Sequence, residues 1–202
     1  MKPYAMKAVT VGITAMKQHK PFAILDTETT GLDPTKHEII EIAVKSPLGT
    51  FHSLVKPQRL DLAEPKALEL NGYAANPDRW HNAPTIDEVL PKVMLHLTGC
   101  IMVGHNVSFD KGFLNAAHEK IYGKGLPFYH AFDTVTLVME HLPDLGRFNL
   151  DVTCKVLGIS NEGAHTALAD VLRCEKVLNK LLRAGPIDRW QWSSKAKAMV
   201  AN

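Results

Sequence analysis

The stretch Phe22-Ala-Ile-Leu-Asp-Thr-Glu-Thr-Thr-Gly-Leu32 decides how this chain is read. Phe22–Leu25 is a short apolar run of the kind a central, buried strand shows. It ends in two carboxylates, Asp26 and Glu28, with one residue between them. Side chains alternate along an extended strand, so positions two apart point to the same face. Both acids therefore project together from a strand that otherwise belongs in a core. Like charges that close repel, and burying them is costly unless a cation compensates. Taken alone, the pair reads equally as a solvated Asp/Glu pair in a loop.

Two distant segments separate these readings. In Val103-Gly-His-Asn-Val-Ser-Phe-Asp110 an apolar strand, Ile101–Val103, runs into a helix. Phe113, Leu114, Ala117 and Ile121 recur there at the spacing of an inward face. Asp110, three and four residues before Phe113 and Leu114, lies on that same face. The second segment, His165-Thr-Ala-Leu-Ala-Asp170, opens a helix running to about Leu182. Its expected inward stripe is Ala167, Leu168, Val171, Leu172, Val177, Leu178 and Leu181, and Asp170 flanks it. One acid on a core-facing helix is explained by a buried hydrogen bond. Two such helices and a carboxylate pair ending a core strand point to a metal.

Asp26-x-Glu28-Thr-Thr-Gly, His105-Asn-x-x-Phe-Asp110 and His165-x-x-x-x-Asp170 resemble the three motifs of the DEDDh (DnaQ-like) 3′–5′ exonucleases. That family includes the proofreading epsilon subunit of DNA polymerase III, ribonuclease T and oligoribonuclease. The resemblance runs from about Phe22 to Leu182, with all five signature positions in order. It implies an α/β fold of ribonuclease H-like type, a mixed five-stranded sheet flanked by helices. It also implies two-metal phosphodiester hydrolysis at the 3′ end of DNA, with single strands or frayed ends preferred.

The metal set is then Asp26, Glu28, Asp110 and Asp170. By the family's pattern Asp26 bridges two ions, Glu28 and Asp170 hold the nucleophile-side ion, and Asp110 acts partly through water. Hard oxygen ligands favour Mg²⁺ or Mn²⁺. One ion positions the nucleophilic water and the other steadies the leaving 3′ oxygen. His165 is the expected general base, since an imidazole with an ordinary pKa of about 6.5 is neutral yet basic near physiological pH. Asp133 is excluded from the metal set, because the family carries an Asp-Thr there in a structural role. His105 and Asn106 read either as fixing the turn that presents Asp110 or as touching substrate. The Thr29-Thr30-Gly31 amides are candidates to receive the terminal sugar hydroxyl, and Leu32 and Phe109 to wedge and stack against the last bases.

The chain of 202 residues, 46% hydrophobic and 22% charged, suits a single compact domain. A net charge of +2 says little about a nuclease whose cations gather in its site. Cys100, Cys154 and Cys174 lack Cys-x-x-Cys spacing and read as reduced core residues in a cytoplasmic protein without a zinc site. No apolar run reaches the roughly 20 residues of a membrane helix. Residues 1–20, with Lys2, Lys7, Lys17 and Lys20 and no acid, read as an extension rather than a targeting segment. Residues 21–184 form the exonuclease domain. Residues 185–202 form a tail in which Trp190 and Trp192 cover the domain's own surface and the last residues fray; the alternative is stacking on bases or docking on a partner.

Between the motifs, Glu38–Lys45 and Thr50–Lys56 read as strands joined at Ser46–Gly49, and Asp61–Asn71 as a helix. A further helix runs from Pro84 to about Leu97, Ala131–Val135 is a strand, and Leu150–Leu157 a helix. The rivals are an exoribonuclease or oligoribonuclease trimming RNA 3′ ends, a polymerase-associated proofreader or other replication or repair component, and a catalytically silent nucleic-acid-binding module. A silent module is expected to have lost a ligand or the base, and all five are present.

Overall fold

The computed structural model describes residues 20–128 and 130–200; the expected N-terminal extension lies almost entirely outside them. Three antiparallel strands come first: β1 (Phe22–Thr29), β2 (Ile39–Ser46) and β3 (Gly49–Leu54). Two parallel strands, β4 (Ile101–Gly104) and β5 (Ala131–Asp133), complete the mixed five-stranded sheet in the order β3-β2-β1-β4-β5. The helices are α1 (Pro65–Leu70), α2 (Ile86–Leu97), α3 (Val107–Tyr122), α4 (Thr134–His141), α5 (Leu150–Leu157), α6 (Ala167–Leu182) and α7 (Pro186–Val200).

Strand alternation sorts the core into layers. Ala23, Leu25, Ile42 and Val44 pack against Val89, Leu90 and Val93 of α2 and Phe113 and Leu114 of α3. Ile24, Ala43 and Val103 face the other way, onto Ala167, Val171, Cys174 and Leu178 of α6. Asp26 and Glu28 share the parity of Ile24 and so emerge on the α6 face. A third cluster joins α4, α5 and the far half of α6, and α7 closes it with Ala196 and half-buried Trp192. Residues 186–200 form a helix, and the two tryptophans expected to cover the surface part company, Trp190 standing 71% exposed.

Other boundaries shift for local reasons. Pro65 sits in the first turn of α1, where its missing N–H costs nothing, and only a short 3₁₀ turn, Leu60–Leu62, precedes it. The strand expected over Ala131–Val135 ends at Asp133 because that side chain accepts the Val135 N–H and caps a helix that the β-branched run Thr134-Val-Thr136 concealed. The same carboxylate accepts the N–H groups of Asn106 (2.9 Å) and Val107 (3.1 Å), joining the start of α3 to the end of β5. Asp133 is therefore a brace, as expected. Along α6, Leu172 is 36% exposed, whereas Arg173 is only 3% exposed and takes an inward place.

Asp133→Ala removes three carboxylate-to-amide bonds. We expect it to lower stability by about 2–4 kcal/mol, from a lost cap of ~1 kcal/mol and hydrogen bonds to a charged acceptor of ~1.5–3 kcal/mol. Urea denaturation of the variant beside Asp133→Asn checks this, the amide restoring part of the loss.

Candidate active site

One carboxylate oxygen from each of Asp26, Glu28 and Asp170 lies within 4.8 Å of the other two. Strand pleat supplies the first pair and the first turn of α6 supplies the third. Asp110 stands on the edge of this group, 3% exposed. Its Oδ1 accepts both the Thr27 N–H and the Thr27 hydroxyl at 2.8 Å. The β1–β4 pairing runs only as far as Ile24 and Val103, so Asp110 takes a strand donor beyond the reach of β4.

The electrostatics are those of charge crowded without compensation. Burial holds the Asp26 carboxyl well above the usual range, and the charges of Asp110, Asp170 and Glu28 raise it further. Burial, then Asp170, lifts Glu28 to about 8. Asp110 is pushed by burial to about 7, against the pull of its Thr27 bonds. Asp170 is raised by burial and held back chiefly by Arg173. An all-oxygen donor set whose charges repel fits a hard divalent cation, so these residues suit Mg²⁺ or Mn²⁺.

Two ionisable groups beside the cluster escaped the sequence reading. Glu41, 1% exposed, is the direct cross-strand partner of Glu28. Its Oε1 lies 2.8 Å from His52 Nε2, its Oε2 has no hydrogen-bond partner among the described residues, and its charge adds to the rise at Glu28 and Asp26. The signal was an acid inside the apolar run Ile39-Ile-Glu-Ile-Ala-Val44. Arg173 donates to Asp170 Oδ1 at 2.6 Å, to Asn161 Oδ1 at 2.8 Å and to Asp151 Oδ1. A cation three residues after Asp170, on the same helix face, was its signal; nothing marked Asp151.

His165 has φ 66°, a left-handed conformation rare outside glycine, and directly precedes Thr166, the N-cap of α6. Its half-exposed ring places Nε2 3.5 Å from Asp151 Oδ2. His105 is structural: Nε2 lies 2.7 Å from the Phe148 carbonyl and Nδ1 2.9 Å from the Thr134 hydroxyl. Asn106 caps α3 in a left-handed conformation with its side chain exposed. Phe109 is half-buried, its ring centroid 4.9 Å from that of Phe113, and Leu32 is 71% exposed.

The Thr29-Thr30-Gly31 segment differs from expectation in one respect. The Thr30 N–H already donates to the Glu38 carbonyl at 2.9 Å, which removes it as a receiver of a sugar hydroxyl. Thr29 turns its hydroxyl onto the Gly31 carbonyl. Gly31 does permit a close approach, but by the His37 ring, which a Cβ would meet at 2.5 Å.

The exonuclease family model (RNase_T) matches residues 23–178, which contain every motif above. The chain belongs to the exonuclease family. This exonuclease is 29% identical over 178 residues to the DNA polymerase III subunit epsilon of Treponema pallidum, covering 84% of the chain and 80% of that protein. It is 36% identical over 154 residues to the PolC-type DNA polymerase III of Thermotoga maritima, covering 74% of the chain but only 11% of that much longer protein. Among solved structures, the nuclease domain of 3′hExo, a DEDDh family member bound to rAMP, superposes with a TM-score of 0.68 at 22% identity, covering 84% of this chain and 94% of that one. Exonuclease I of E. coli in complex with a dT13 oligonucleotide gives 0.64 at 19% identity, covering 80% and 41%. The exonuclease therefore has the ribonuclease H-like fold of these structural neighbours. Among the described residues, no helix is long and apolar enough to cross a membrane.

In the folded, metal-free protein Glu28 keeps its proton up to about pH 8, whereas unfolded it releases it near 4.5. The native state therefore binds more protons between these values, and stability falls as pH rises through that window. We expect the melting temperature in EDTA to drop between pH 5 and pH 8. Mn²⁺ should recover it at pH 8, and Glu28→Gln should flatten the slope. A melting temperature independent of pH and metal would contradict this electrostatic picture.

Proposed function

We propose that this exonuclease removes nucleotides from the 3′ end of DNA, preferring single strands or frayed ends, by metal-assisted phosphodiester hydrolysis. The observation that carries the reading is the convergence of Asp26, Glu28 and Asp170 on one point, with Asp110 beside them. Asp26, Glu28 and Asp170 would hold two Mg²⁺ or Mn²⁺ ions, with Asp110 contributing from the edge. Such ions supply an acidified water and neutralise charge developing on the leaving 3′ oxygen.

The remaining work falls to the chain. His165, at the entrance of α6, takes the proton of the attacking water. Its ring is half-exposed, which leaves it open to solvent for proton exchange. Exposed Leu32 and half-buried Phe109 would offer apolar contact to the terminal bases, and Asn106 an exposed amide. Such contacts tolerate any base, which fits weak sequence preference. The naming of the relatives as DNA polymerase III components favours DNA and suggests association with a polymerase. RNA is the second reading, favoured by the rAMP found in the 3′hExo nuclease domain.

A time course on matched 5′-labelled single-stranded DNA and RNA, in Mg²⁺ or Mn²⁺, tests this. We expect a ladder shortening from the 3′ end, abolished in Asp26→Ala and slowed by orders of magnitude in His165→Ala. The faster sugar identifies the substrate. A 3′-phosphate-blocked strand degraded as fast as the 3′-hydroxyl form would exclude end recognition, and metal binding without cleavage would make the chain a silent binding module.

A further inference from the structure

Arg173 is 3% exposed and ends among three acceptors. Nη1 donates to Asp170 Oδ1, while Nη2 donates to Asp151 Oδ1 and to Asn161 Oδ1. A guanidinium keeps its charge at any working pH and presents its donors in a fixed plane. Its two terminal nitrogens therefore set Asp170 and Asp151 in a defined relation, which a flexible ammonium does not. Helix spacing brings Arg173 back under Asp170, one turn along α6. Asp151 comes from the first turn of α5, so the guanidinium ties two helices together at the site. With Oδ1 accepting from Arg173 and the His165 backbone N–H bonded to the same carboxylate, Asp170 is held in one orientation.

The link continues outward. Asp151 uses Oδ1 for Arg173 and turns Oδ2 toward His165 Nε2, 3.5 Å away. His165 is held at a positive φ, in the short loop that leads into Asp170's own helix. A side chain in that backbone state depends on its surroundings to stay there. Asn161 closes the network from the same loop, its amide donating to the Asp151 carbonyl at 3.1 Å.

We propose that Arg173 and Asp151 are positioning residues, Arg173 fixing the orientation in which Asp170 meets the metal and Asp151 orienting the His165 ring toward the reacting water. The second half rests on His165 being the base. Each acts through a different neighbour, so their effects separate.

The full-length chain is assayed as Asp151→Asn, Arg173→Lys, His165→Ala and the Asp151→Asn/His165→Ala double variant. Mn²⁺ titration gives metal affinity, steady-state cleavage of a 5′-labelled oligonucleotide gives kcat and KM, and thermal melting reports folding. Asp151→Asn keeps an acceptor for Arg173 but loses its charge. We expect it to leave Mn²⁺ affinity and KM unchanged and lower kcat by about 10–100-fold. In the His165→Ala background it should cost nothing further. Arg173→Lys should weaken Mn²⁺ binding by about 10-fold as well as lower kcat. If Arg173→Lys does not fold, Asp151→Asn carries the test, its side chain being 42% exposed. Wild-type kcat in Asp151→Asn while His165→Ala is inactive overturns the proposal, as does a loss persisting in full in the double variant. Wild-type Mn²⁺ affinity in a folded Arg173→Lys overturns the Asp170 half. Normal turnover in His165→Ala instead overturns the base assignment and with it the orienting role of Asp151, and the Mn²⁺ titration still decides Arg173.

Discussion

Much of this molecule answers to one electrostatic constraint, the gathering of carboxylates at the end of a core strand. Asp26 and Glu28 leave β1 on the face that α6 covers, and Asp170 meets them from that helix. Asp110 and Glu41 add charge from either side of β1. Folding alone gains nothing from such a cluster, since burial and mutual repulsion both penalise it. The fold carries it because the rest of the core is well packed. Ala23, Ala43, Val103 and Val171 are fully buried within a few residues of the acids. Relief comes from cations, whether the fixed guanidinium of Arg173 or the divalent ions the oxygen set suits.

A second layer of neutral and charged hydrogen bonds keeps the acids where they stand. Asp133 gathers the amides at the starts of α3 and α4, and His105 joins the end of β4 to Thr134 and the Phe148 carbonyl. Burial lowers the His105 pKa, which favours a neutral ring matched to this pairing. These braces surround the parallel half of the sheet, where β4 and β5 are only four and three residues long and ladder bonds are few. Side-chain bonds do there what longer strands would do elsewhere.

The strands and the faces they bury were largely legible because periodicity carries them, whereas the ribonuclease H-like arrangement came from the resemblance to the family. The alternation around Ile24 and Asp26, and the stripe holding Asp110, Phe113 and Leu114, each encode a face. That Asp26, Asp110 and Asp170 turn inward was legible for the same reason. What escaped depended on contacts between segments far apart in sequence. Asp133 ends β5 early by capping α4, and no local pattern separates Thr134-Val-Thr136 as a helix from the same residues as a strand. Leu172 is more exposed than its place in the expected stripe, while Arg173 is buried because its guanidinium finds three acceptors, Asp170 on α6, Asp151 on α5 and Asn161 in the loop after it. Glu41 was hidden by its apolar neighbours, since charge inside a strand identifies a site only once its cross-strand partner is known to be Glu28.

The loop after β1 has a mechanical consequence. Gly31 lies flat beneath the His37 ring, and that ring is fixed by the Asp33 amide donating to Nδ1 at 2.9 Å. Thr30 is tied on both sides, its N–H to the Glu38 carbonyl and its own carbonyl to the Glu64 amide. Leu32 thus projects into solvent from a backbone that is already locked. Loops that order themselves around a ligand lose conformational freedom at the moment of binding, and the affinity is reduced accordingly. Here that entropy is surrendered during folding, so the base contact proposed for Leu32 would be made by an apolar side chain on a pre-set mount.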